Sequence, residues 1–228
     1  MKSKLPITVA AEPYAFEFIP ATCALLIIDM QRDFLEPGGF GEMLGNDVSQ
    51  LRRTIAPNRR LLARWRALGW TVIHTREGHR QDLTDLSRAK RLRGRSKTSI
   101  GDSGPMGRIL VRGESGHDII PELYPQRGEP VIDKPGKGAF YATDLHTILQ
   151  HRNIKQLIVT GVTTEVCVNT TVREANDRGY DCLVPSDCVG SYFPEFHKMG
   201  LKMIKAQGGI FGWVSHSKKI LAVIPEKS

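Results

Sequence analysis

Cys23 to Met30 reads CALLIIDM, an apolar run broken only by Asp29 near its end, and no other segment constrains the fold as much. A strand with one wet face alternates apolar and polar residues. A short continuous run must instead be buried on both faces, as the central strands of parallel sheets are. TVIHT (Thr71 to Thr75), VIDK (Val131 to Lys134), LIVT (Leu157 to Thr160), DCLVP (Asp181 to Pro185) and IFGWVS (Ile210 to Ser215) read as further strands. Between them, Leu51 to Leu68, Leu145 to Leu149 with Thr143 or Asp144 as cap, Val168 to Ala175, and Glu195 to Ala206 carry helical patterns that stop at glycines such as Gly69, Gly179 and Gly208. This succession implies an α/β, three-layer α-β-α architecture with a mostly parallel sheet covered by helices on both faces.

The 228 residues suit one domain, 1–228, in which residues 1–20, with Pro6, Pro13 and Pro20, form an extended arm on the body or on a neighbouring subunit. From Arg76 to Pro130 the chain is rich in glycine and charge and reads as a long excursion over the sheet, a place where function often resides. No apolar run approaches the ~20 residues of a membrane span. Lys2 and Lys4 are followed by prolines and Glu12 rather than a signal-peptide core, so the expected location is cytoplasmic, with no membrane partner. The cysteines Cys23, Cys167, Cys182 and Cys188 show no C-x-x-C pair, and reduced thiols are expected. The net charge of +8 raises the question of nucleic acid, but the run Arg88 to Lys97 has no aromatic for base stacking and fits no nucleic-acid motif. A solvated loop, an oligomer contact or a guide for an anionic substrate fits that run better.

LIVTGVTTEVC (Leu157 to Cys167) reads as strand, tight turn and helix start, with Thr163 or Thr164 as N-cap and Cys167 in the first helical turn. Unpaired N–H groups and the helix dipole favour a thiolate there, whereas the same cysteine could equally serve as a small core residue. Ligands of open α/β sheets bind beyond the carboxyl ends of the strands. Asp29, Lys134 and Cys167 all stand at such ends, a coincidence that chance emergence into water does not readily explain.

These residues sit within LLIIDMQRDF (Leu25 to Phe34), DKPGKGAF (Asp133 to Phe140), GVTTEVCVNTT (Gly161 to Thr171) and REANDRGYDCLVPSDC (Arg173 to Cys188). Together they resemble the isochorismatase-like cysteine hydrolases over most of the chain from Cys23 onward. The resemblance implies a catalytic triad of Asp29, Lys134 and Cys167, an oxyanion hole from the backbone N–H groups of Thr163 and Cys167, and a cis peptide at Val162-Thr163. It also implies a homo-oligomer, dimer or tetramer. Asp29 would take the thiol proton and return it to a departing amine, Lys134 would stabilise both anions, and water would clear the acyl-enzyme.

Isochorismatases that cleave a vinyl ether need no cysteine nucleophile, so Cys167 points to the amide-hydrolysing branch. Nicotinamidases hold a metal after the second strand. The corresponding HTREGH (His74 to His79) offers Glu77 and His79 without a clear third ligand, so no metal and no cofactor are expected, and His79 reads as a polar loop residue. HTREGH, GRIL (Gly107 to Leu110), DIIPELYP (Asp118 to Pro125), DKPGKG and IKAQGGIFG (Ile204 to Gly212) resemble biuret hydrolases most. That likeness implies a small ureide such as biuret or triuret as substrate, contacted by Gln207, whose amide can donate and accept. Phe34 and Tyr141 are candidate pocket walls by position. A ureidoacrylate or other N-carbamoyl amidohydrolase is the alternative, with Arg76 or the Arg88 to Lys97 run meeting a substrate carboxylate. A scaffold or interaction subunit is the non-enzymatic alternative.

Overall fold

The computed structural model describes residues 5–91 and 98–226. The elements run β1 (Ile7–Val9), β2 (Phe16–Phe18), β3 (Cys23–Ile28), α1 (Arg32–Leu35), α2 (Phe40–Met43), α3 (Ser49–Arg52), α4 (Ile55–Ala67), β4 (Thr71–Glu77), α5 (Arg88–Arg91), β5 (Ser103–Gly104) and β6 (Gly107–Arg108). They continue β7 (Val131–Lys134), α6 (Leu145–His151), β8 (Gln156–Val162), α7 (Asn169–Asn176), β9 (Asp181–Pro185), β10 (Val189–Gly190), α8 (Pro194–Gly209), β11 (Trp213–Ser215) and α9 (Ser217–Val223). The main sheet has the order β11-β9-β8-β3-β4-β7, with β10 pairing β8. Every pairing in it is parallel, as the apolar runs imply.

β3 shows why this sheet needs cover on both sides. Its six residues are all buried, and they alternate between two apolar cores. Cys23, Leu25 and Ile27 join Leu61, Leu62 and Trp65 of α4 and Ile220 of α9, while Ala24, Leu26 and Ile28 join Leu145 of α6, Val172 of α7 and Ile204 of α8. Burying each of the larger side chains contributes about 1.5–3 kcal/mol, so both helix layers are required.

Several elements differ from the sequence expectation. The arm is a hairpin, with β1 and β2 antiparallel and Phe16 and Phe18 buried against Trp65, Trp70 and Trp213. The helix expected over 51–68 begins at Ser49 and is interrupted at Arg53 and Thr54, whose backbone remains helical. Pro57, which has no N–H to give the Arg53 carbonyl, breaks the ladder there. β4 runs two residues further, to Glu77, because it pairs with β7 as far as Glu77 opposite Lys134. β8 continues through Gly161 and Val162, which pair with β10. Gly161 has φ 106°, and a Cβ there would run into the Ile28 carbonyl of β3, so only glycine allows the two strands this approach. The last strand is confined to Trp213–Ser215. The short α9, which the pattern did not reveal, is anchored by Asp187, whose carboxylate accepts from the Ser217 N–H at 2.8 Å.

The described residues between β4 and β7 form the expected excursion, tied down by side chains at its base. Gln31 donates to the carbonyls of Glu77 and His117, both at 2.9 Å, and accepts from the Glu77 N–H at 2.7 Å. Of the basic run Arg88 to Lys97, residues 92–97 lie outside the described residues. Among the described residues, no helix is long and apolar enough to cross a membrane.

Candidate active site

β3 is the first strand of the main sheet. The chain adds β4 and β7 on one side of it and then returns to place β8 on the other. This reversal makes the crevice between the carboxyl ends of β3 and β8 the point where an open α/β sheet binds ligands. Asp29 follows β3 and Cys167 follows β8, while Glu77 ends β4 and Lys134 ends β7. Four strands thus deliver two carboxylates, an ammonium and a thiol to one end of the sheet, and all four side chains are buried.

Asp29, at φ 50°, is held by Thr75, whose hydroxyl donates to Oδ1 at 2.6 Å. Lys134 Nζ forms a 2.7 Å ion pair with Oδ2 and donates to the carbonyls of Gly136 at 3.1 Å and Lys137 at 2.9 Å. The Cys167 thiol donates to Glu77 Oε2 at 3.5 Å. Glu77 Oε1 accepts from Lys90 and from Lys137, each at 2.7 Å. The Asp29 and Glu77 carboxylates and the thiol lie within 4.8 Å of one another, a donor set that could hold a metal. Here lysine ammoniums already supply the positive charge, Lys134 on Asp29 and Lys90 and Lys137 on Glu77.

Burial opposes the charge on Glu77, but Lys134, Lys137 and Lys90 outweigh it and hold the carboxyl at about 2. Burial likewise opposes the Lys134 ammonium, and Asp29, Cys167 and Glu77 outweigh it, so the ammonium is held well above its ordinary range. For Cys167 the balance goes the other way. Burial pushes the thiol well above its usual value, Asp29 and Glu77 add to the rise, and Lys134 and Lys137 oppose it.

The sequence left open a helix-activated thiolate or a small core residue, and the structure departs from the first in two respects. Residues 164–168 form a π-helical turn before α7, in which the Val168 N–H bonds to the Thr163 carbonyl at 3.2 Å, and the Thr163 side chain makes no cap bond. Burial, with Asp29 and Glu77 beside the thiol, also disfavours the thiolate, against the pull of Lys134 and Lys137. The peptide Val162-Thr163 is cis, as the resemblance implied.

Cys167 lies on a cavity of about 240 Å³. Its apolar wall includes Phe34, Phe40, Val166, Tyr192 and Phe193, and its polar groups include Glu77, Lys137 and Glu165. Phe34 is therefore where the sequence placed it. Tyr141 is not: it is 64% exposed and packs over Gly136, outside this cavity. Gln207 is exposed at the non-helical end of α8, with φ 50°, and does not line the cavity either. Arg76 is engaged by Asp133 at 2.8 and 3.1 Å and by Asp118 at 3.2 Å, so it is not free to meet a substrate carboxylate. A larger cavity of about 450 Å³, beside β10 and α4, contains neither the thiol nor its partners.

His79, read as a polar loop residue, lies past the end of β4 and is buried. Lys90 can only donate, so at 3.0 Å from His79 Nε2 it assigns that nitrogen as acceptor and leaves Nδ1–H to donate to Asp85 at 3.2 Å. Lys90 belongs to the basic run expected to be solvated or substrate-guiding, yet it is pulled in to neutralise Glu77. The meeting of Glu77, weighed only as a metal ligand, with Lys90 and Lys137 beside Cys167 was not foreseen. Glu77 could have been found by extending β4 two residues and applying the strand-end rule used for Asp29 and Lys134. Lys137 lies three residues past Lys134 in the same glycine-rich turn. Lys90 carries no local signal.

Residues 23–217 match the isochorismatase domain family. An isochorismatase family protein from Desulfovibrio vulgaris subsp. vulgaris str. Hildenborough aligns with a TM-score of 0.73 at 28% identity, over 88% of this chain and 97% of that one. A cysteine hydrolase from Pseudomonas syringae pv. phaseolicola 1448A aligns with a TM-score of 0.74 at 26% identity, over 90% of this chain and 93% of that one. An N-carbamoylsarcosine amidase from Thermoplasma acidophilum shares the fold, with a TM-score of 0.65 at 23% identity over 86% and 96% of the two chains.

Proposed function

Because the chain belongs to the isochorismatase family of hydrolases, we propose that it is a cysteine amidohydrolase cleaving the terminal C–N bond of a small ureide, biuret or triuret in type, with release of ammonia. One observation carries this reading: the Cys167 thiol lies on a small cavity within 4.8 Å of two carboxylates, one of them ion-paired to a fully buried lysine. A cavity of about 240 Å³ accommodates a small molecule, and its aromatic walls suit a flat one.

Asp29 accepts the S–H proton as Sγ bonds to the terminal carbonyl carbon, and Lys134 stabilises the negative charge that remains. The oxyanion is received by the backbone N–H groups of Thr163 and Cys167, where one donor is typically worth about 10²–10³ in rate. Collapse breaks the C–N bond. The departing amine takes the proton from Asp29 and leaves as ammonia, and a thiocarbamate remains on Sγ. Asp29 then removes a proton from water, whose oxygen attacks the thiocarbamate. The C–S bond breaks, the thiolate recovers the proton, and a carbamic acid product departs. Because burial and two carboxylates disfavour a free thiolate, deprotonation accompanies attack rather than preceding it.

The N-carbamoyl acid alternative has less support, since Arg76 is engaged by two aspartates and Lys90 by Glu77. Ammonia release from biuret, triuret, ureidoacrylate, N-carbamoylsarcosine and nicotinamide tests the reading. Biuret or triuret is expected to be the best of the five, with Cys167→Ser lowering the rate at least a thousandfold. Equal small rates for wild type and Cys167→Ser on all five would remove it.

A further inference from the structure

We infer that Glu77 selects the substrate: its Oε2 accepts an N–H attached to the carbonyl carbon that Cys167 attacks, so that the site takes N–CO–N ureides in preference to C–CO–N carboxamides. The inference rests on the reading of Cys167 as nucleophile given above.

The two oxygens of Glu77 have different surroundings. Oε1 takes both ammoniums, Lys90 and Lys137, while Oε2 has the Cys167 thiol as its donor at 3.5 Å. A thiol is a weak donor, and the proposed chemistry removes its proton. At that moment a fully buried carboxylate oxygen loses its partner unless the substrate supplies one, and an unsatisfied buried acceptor is costly. The carbon under attack carries three substituents. Its oxygen goes to the backbone donors and its leaving nitrogen to Asp29, so the third is left to face Oε2. In a ureide that substituent is an N–H, and in a carboxamide it is a carbon with nothing to donate.

Lys90 keeps Glu77 in this orientation. Its three N–H groups meet three acceptors, Glu77 Oε1 at 2.7 Å, His79 Nε2 at 3.0 Å and the Pro135 carbonyl at 2.7 Å. The ammonium is thereby satisfied and fixed, and α5 of the excursion is docked onto the site through it. Lys90 is a positioning residue, because it reaches the substrate only through Glu77.

Biuret and malonamide form a matched pair, differing by an N–H in place of a CH₂. Wild type is expected to prefer biuret at least a hundredfold in kcat/KM, as sites built around a hydrogen bond do. In Glu77→Gln the two lysines still demand an acceptor, so the amide oxygen replaces Oε1 and the NH₂ faces the substrate N–H, donor against donor. The biuret-to-malonamide ratio of kcat/KM should fall about a hundredfold, through the loss on biuret. An equal fall for both compounds, or an unchanged ratio, overturns the inference. Should Glu77→Gln not fold, Lys90→Met decides: a ratio reduced about tenfold supports the inference and an unchanged ratio overturns it. If wild type turns over neither compound, calorimetric binding to Cys167→Ala, which leaves Oε2 without a donor from position 167, makes the same comparison, with tighter biuret binding supporting the inference and equal binding overturning it. If Cys167→Ser hydrolyses biuret as wild type does, the nucleophile reading fails, an outcome distinct from a ratio that Glu77→Gln leaves unchanged.

Discussion

Lys134 Nζ and the Asp29 carboxylate meet at 2.7 Å with both side chains fully buried. Each has left water at a cost that the other helps to offset, together with the Thr75 hydroxyl on Asp29 and two carbonyls on Lys134. Lys134→Met or Asp29→Asn strands one charge. Each is expected to lower stability by about 3–5 kcal/mol in urea unfolding, with the double variant less destabilised than the sum of the two. Additive losses would show that the pair does not act as a unit.

Acid stability should depend on Glu77. Its carboxyl is held at about 2 in the folded protein against an ordinary 4.5, so between these values the unfolded chain binds the extra proton. The contribution is present above pH 4.5 and is lost as pH falls through about 2, amounting to about 3 kcal/mol. Unfolding free energies measured from pH 5 to pH 2 should fall less steeply for Glu77→Gln than for wild type.

Cys167 reactivity separates the thiol from the chemistry. Its raised pKa predicts slow iodoacetamide alkylation at pH 7 that quickens into the alkaline range, while the buried Cys23, Cys182 and Cys188 stay silent in the native protein. Asp29 is one of the charges that raise the thiol, so Asp29→Asn should move the alkylation profile to lower pH. The same variant should lose at least about a hundredfold in amide hydrolysis, as removal of a general base does. A profile shifted upward would contradict the electrostatic account.

Gly161→Ala probes the contact between β3 and β8. A side chain at φ 106° that also meets the Ile28 carbonyl should destabilise the protein by about 3 kcal/mol or more, read as a lower thermal midpoint. A loss under about 1 kcal/mol would mean the strands can part at little cost.

The parts of this protein that follow from local pattern were readable in advance. CALLIIDM had to be a doubly buried strand, and β7, β9 and the cores of β4 and β8 announce themselves in the same way. Elements whose stability comes from distant partners were read short or missed. β4 extends to Glu77 because β7 pairs with it, β8 reaches Val162 because β10 does, and the N-terminal hairpin closes over aromatic residues from α4 and β11.

The site divides along the same line. Asp29, Lys134 and Cys167 are visible in the sequence because each ends, or follows, a recognisable strand, and the parallel fold carries all such ends to one edge. That Lys90 of the basic run would neutralise Glu77 only the folded chain could decide, as it did the exclusion of Tyr141 and Gln207 from the cavity and the burial that raises the Cys167 thiol. Strand pattern is a short-range property carried by neighbouring residues. Desolvation and ion pairing depend on which charges meet in space, and here Glu77 and Cys167 stand 90 residues apart along the chain.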